Sequence, residues 1–86
     1  MTVQHRTDLN QIEITEDSRL QIRFALVLFD GETVYSRDWH RTAVEQGGDI
    51  DAQIAIVNVH LAEMGRAAVP TEAVTRIKAV AAAVWA

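Results

Sequence analysis

"FALVLFDGETVYSRDWHR", residues 24–41, decides the fold. An apolar run ends in Asp30-Gly31, and a second strand-like run of aromatic and charged residues closes on Trp39-His40-Arg41. Asp-Gly between two such runs is a hairpin signal, because a type I′ turn needs positive φ at both central positions and this pair tolerates it. A two-residue loop at Asp30-Gly31 predicts a register. On one face Phe29 meets Glu32, Val27 meets Val34, Ala25 meets Ser36, Arg23 meets Asp38 and Gln21 meets His40. On the other, Leu26 meets Tyr35, Phe24 meets Arg37 and Ile22 meets Trp39. This arrangement sets a cation against an anion and rings among aliphatic residues, pairs worth roughly 0.2–1 kcal/mol each. It makes Tyr35 and Trp39 anchors between the sheet and its cover, and makes Trp39-His40-Arg41 the end of a hairpin arm.

Upstream, "RLQIRFALVLF" alternates with Leu20, Ile22, Phe24, Leu26 and Leu28 on the core face. Before it, Ile12 and Ile14 alternate with Gln11, Glu13 and Thr15, the period of a short strand, and Asp17 and Ser18 supply turn chemistry. Residues 1–10 are polar and aperiodic and read as a flexible N-terminal arm.

Downstream, the paired glycines of "EQGGD" mark a loop, and the period changes to that of helices. Asp49 or Asp51 is placed to cap a first helix whose stripe is Ile50, Ile54, Val57, Leu61 and Met64, with Gly65 at the C-terminal stop. A second helix starts at Pro70-Thr71-Glu72, with Thr71 as cap, and carries Ala73, Val74, Ile77, Val80, Ala81 and Val84. Trp85 follows as an anchor at its end. The order strand, strand, strand, helix, helix predicts a single α+β domain over residues 11–86. Its small antiparallel sheet, built on a central β-hairpin, has two helices packed on one face.

Composition narrows the function. A domain of 86 residues buries only about 60% of its unfolded surface, so its stability is marginal and oligomerisation is one remedy. The charge of −4, from 12 acidic and 8 basic residues with the cations scattered singly, argues against a nucleic-acid partner. The absence of cysteine removes disulfides and thiolate metal sites. No signal peptide is visible and no apolar run approaches the ~18 residues of a membrane span, which points to the cytoplasm or a particle assembled there.

Three constellations invite chemistry and none carries it. Ser36, Asp38 and His40 share a strand face, but alternate residues lie roughly 7 Å apart, so Ser36 and His40 stand about 13 Å apart with the carboxylate between them, the wrong order for a triad. His5, His40 and His60, with Asp38, come from an arm, a strand and a helix and lack ligand spacing; His40 is expected to bond Gln21 or backbone. Glu16-Asp17 and Asp49 with Asp51 sit at turn or cap positions, and "QGGD" lacks both the spacing and the lysine of a phosphate loop. The expectation is a non-enzyme without cofactor or metal.

The apolar surplus says more. In the first helix Ala52, Ile56 and Val59 lie off the main stripe, to be covered either by the second helix or by another subunit. On the sheet face turned away from the helices, Ala25, Val27, Phe29 and Val34 make a patch near the hairpin tip. Val27, Phe29, Val34, Ile56 and Val59 are therefore the expected interface residues.

"LQIR", "DGETVYSRDWHR", "GGD" and "IKAVAAAVW" together resemble a group of small proteins encoded in the tail regions of tailed bacteriophages and prophages. The likeness is carried by Leu20 to Arg41, with Gly48-Asp49 and Ala82 to Trp85 in support; Trp39 stands where the group tends to have tyrosine. The resemblance implies a phage-encoded accessory or virion-associated protein and no catalytic residue. The functional expectation is thus a non-enzymatic structural or assembly protein in the host cytoplasm or virion, binding itself, as a homo-oligomer, or another phage protein. A small acidic inhibitor of a host complex is the alternative.

Overall fold

A computed structural model describes residues 3–86. Three strands, β1 (Gln4–Ile14), β2 (Leu20–Asp30) and β3 (Thr33–Val44), form an antiparallel sheet in the order β1-β2-β3. Two helices follow, α1 (Ile50–Glu63) and α2 (Thr71–Val84), and pack on one face of it. This is the α+β architecture expected from the sequence. The expected N-terminal arm is corrected: from Gln4 on, its residues pair with β2, Gln4 opposite Phe29 and Asp8 opposite Ala25. Met1 and Thr2 lie outside the described residues.

The core is one-sided. Leu20, Ile22, Phe24 and Leu26 of β2 are buried against Ile50, Ile54, Val57 and Leu61 of α1 and Ala73, Ile77 and Ala81 of α2. Asp49 caps α1 by accepting from the Ala52 N–H at 3.1 Å. Gly65, at φ 71°, closes it while Arg66 N–H reaches back to the Leu61 carbonyl, a Schellman arrangement. At the start of α2, Pro70 occupies the cap position rather than Thr71, and no side chain caps that end.

The hairpin is where expected and its register is not. The two-residue loop is Gly31-Glu32, with Asp30 opposite Thr33, so only the first central residue takes positive φ (Gly31, 58°), as in a type II′ turn. This moves the pairing by two positions. A bulge at Tyr35 adds a third, so that Leu28 faces Ser36, Ala25 faces Trp39 and Phe24 faces His40. An odd shift exchanges faces. Beyond the bulge Arg37, Trp39 and Arg41 turn away from the helices, while Asp38, His40 and Thr42 turn toward them.

Packing on α1 explains why this register holds. It delivers Val44 to the core and sets the Thr42 hydroxyl to accept from Gln53 of α1 at 2.6 Å. β1 has its own bulge between Leu9 and Gln11, and Asn10 there accepts from the Arg23 guanidinium at 2.8 Å. Thr7, buried, donates to the Ala67 carbonyl at 2.6 Å and so ties β1 to the α1–α2 loop.

The molecule measures 47 × 22 × 19 Å. Strands of 11 or 12 residues run about 36 Å or more, whereas 14-residue helices reach only about 21 Å. The loop after α1 meets the sheet at Asp38, through Arg66, and at Thr7. The sheet beyond that level, with the hairpin tip, therefore overhangs the helices.

Candidate interaction surfaces

α1 is apolar on two opposite sides, with Asp51, Gln53, Asn58 and His60 on the flanks between them. Opposite its buried stripe lie Ala52, Ala55, Ile56, Val59 and Ala62, all exposed, with Glu63 the acid among them. Ile56 and Val59 keep 50% and 57% of their surface in solvent, so α2 does not provide the second cover that was one of the two readings. α2 instead flanks the other side of α1, where Lys78 pairs with Asp51 at 2.8 Å.

The second surface is the sheet face turned away from the helices. Four of the eight cations gather there, Arg6 from β1, Arg23 from β2 and Arg37 and Arg41 from β3. The guanidinium of Arg23 lies 4.6 Å from the Trp39 ring centroid and that of Arg6 lies 5.0 Å from Phe29. Asp8 takes Arg6 at 2.9 Å. The concavity of about 460 Å³ among Gln11, Glu13, Gln21, Arg23, Arg41 and Thr42 is an open depression on the sheet.

The expected site residues divide accordingly. Val27 is corrected: it is fully buried, opposite Arg6 of β1 and Arg37 of β3 in the ladder, so it offers no surface to a partner. Phe29 is half-buried under Arg6, and Val34 is exposed beside it. Trp39, 46% exposed, and Tyr35, at the bulge and also exposed, do not anchor the sheet to the helices; the odd register shift moved Trp39 to the outer face. Trp85 does reach the core, and its indole N–H donates to the Ser18 carbonyl at 2.6 Å.

On the helix side of β3, Ser36, Asp38 and His40 stand in a row. Asp38 is taken by Arg66 at 2.6 Å. His40 does not bond Gln21; its ring lies 5.9 Å from that of His60 on α1, edge to face. Burial first, and the neighbouring imidazole second, hold His40 below the ordinary histidine value of 6.5. Among the described residues no group of three or more His, Cys, Asp or Glu is placed to hold a metal ion, and no helix is long and apolar enough to cross a membrane.

Sequence reasoning missed the arginine face and the histidine pair. The alternation Arg37-x-Trp39-x-Arg41 puts the three on one side of a strand, but which side depends on the bulge at Tyr35. No known protein family matches the chain, and neither the curated proteins nor the solved structures contain a match to it.

Proposed function

We propose that this protein is a non-enzymatic, phage- or prophage-encoded assembly component that works by protein–protein contact, in the host cytoplasm or within a virion. One observation carries the reading: the outward face of α1 is apolar along most of its length, with Ile56 and Val59 half-exposed at its centre among Ala52, Ala55 and Ala62. A helix with apolar stripes on two opposite sides favours a partner that covers the second one. The small size of the domain favours a second copy as that cover, because association adds the buried area that a short chain lacks.

Light scattering after size separation, run across a concentration series, tests this directly. A discrete oligomer that Val59→Asp reduces to a folded monomer is the expected result. A wild-type protein that stays monomeric at every concentration sinks the self-association reading.

A further inference from the structure

The two edges of the sheet are unlike. β3 is open along its length, and its outward row is Arg37, Trp39 and Arg41, without an acid. The outward row of β1, the other open edge, holds Gln4, Arg6, Asp8, Gln11 and Glu13, with Asp8 paired to Arg6 within the copy at 2.9 Å and Glu13 in no ion pair among the described residues. The bulge at Asn10 brings Asp8 and Glu13 closer along the ladder: they face Ala25 and Gln21, four positions apart, although five apart in sequence. Arg37 and Arg41 are also four positions apart, with Trp39 midway as Gln11 is midway between the acids. Because both edge strands run antiparallel to β2, they run parallel to each other, and the acids and the cations follow the same direction.

The geometry points to head-to-tail self-assembly, in which β1 of a second copy adds as a parallel strand beside β3, Asp8 meeting Arg37 and Glu13 meeting Arg41. This deepens the self-association proposed above and rests on it.

The helices agree with this seam. Gln53 and His60 of α1 touch β3, so Ile56, on the same helical strip, flanks the β3 edge with Glu63 two turns on. α2 flanks the β1 edge, placing Arg76 and Val80 beside Leu9 and Ile12, with Ala83 next along the strip. Continuing the sheet therefore brings Ile56 toward Val80 and Ala83 of the neighbour, and Glu63 toward its Arg76. Charge on an edge strand guards against pairing with its like. A symmetric β3–β3 seam would line up four guanidinium groups with no acid on that face, whereas the β1 edge offers two carboxylates, Asp8 and Glu13, at the spacing of Arg37 and Arg41. Such an interface is heterologous: it closes into a ring or continues as a filament.

A charge exchange tests the pairing, using Glu13→Arg alone, Arg41→Glu alone, and an equimolar mixture of the two. Both sites are exposed, and circular dichroism checks that each variant is folded. Each variant alone sets like charges across the seam and weakens self-association roughly tenfold or more. In the mixture each β1 edge again meets opposite charge on the other variant's β3, and assemblies of wild-type mass return. If both variants assemble like wild type while Val59→Asp is monomeric, the seam is overturned and the α1 reading stands. If only Arg41→Glu dissociates, β3 meets something other than β1, and the inference falls. A wild-type monomer throughout overturns both readings.

Discussion

The His40 imidazole sits between β3 and α1, and the described residues around it give no acceptor that would welcome a second proton: His60 faces it from α1, and the carboxylate of Asp38, next along the same strand face, is already taken by Arg66. Its folded value lies below 6.5, so as pH falls the unfolded chain takes up the proton first. The stability that neutral His40 contributes is complete above its ordinary value and is lost as pH falls toward the folded one. Urea denaturation should therefore give a lower midpoint at about pH 5.5 than at about pH 7.5, and His40→Gln should flatten part of that difference. A midpoint equally pH-dependent in the variant would assign the effect elsewhere. Asp17 contributes in the same direction in a more acidic range, because the Thr15 hydroxyl bond holds its carboxyl below the usual 3.8.

At the scale of elements, α2 is fastened at its end by a single directed bond. Its N-terminus has no side-chain cap, and its last turn is fixed by the Trp85 indole on the Ser18 carbonyl, in a turn where Ser18 itself takes φ of 62°. Trp85→Phe keeps most of the ring and removes the donor. It should cost about 1 kcal/mol in equilibrium unfolding, the usual worth of one hydrogen bond of this kind. An unchanged free energy would mean that packing alone holds the helix end.

Most elements were legible because each rests on local chemistry, namely the Asp30-Gly31 turn signal, the alternation of Leu20 to Leu26 and the steps of four and three from Ile50 to Leu61; the first half of β1 was not, because its residues are mostly polar and aperiodic and are held by pairing with β2. Register was not. It turned on whether Gly31 is the second or the first central residue, and on a bulge at Tyr35 that no local rule announces. Propensity leaves those choices open. They are settled by long-range packing, in which Val44 enters the core and Thr42 meets Gln53. The candidate site inherited that split: Ile56 and Val59, placed by helical period, stand where the sequence put them, while Trp39 and its flanking arginines changed face with the register.

For the molecule as a whole, stability is distributed unevenly. The helix-covered part of the sheet holds the core residues from Leu20 to Leu26, whereas beyond Asp38 and Thr7 the strands depend on their own ladder and on ring–guanidinium contacts such as Arg6 on Phe29. Hydrogen exchange should divide along that line in a folded monomer such as Val59→Asp. The amides of Ile22 and Phe24 should be protected to near the global free energy, and those of Phe29 and Val34 should exchange through local opening at least roughly tenfold faster. Uniform protection along β2 would contradict the division. In the assembled protein the tip amides on β3 should slow if the edge is covered.

Each outer strand carries one extra residue, Asn10 in β1 and Tyr35 in β3. Because strand faces alternate, such a residue works as a parity switch for everything on its far side. Loss of Tyr35 would let Ser36 follow Val34 in a regular ladder and leave Trp39 and its arginines outward, whereas a β3 that kept Tyr35 and paired without the bulge would turn them inward and bring Asp38 and His40 out to solvent. The bulge, rather than any substitution, thus sets which chemistry this sheet shows to its neighbours while the central strand stays in place.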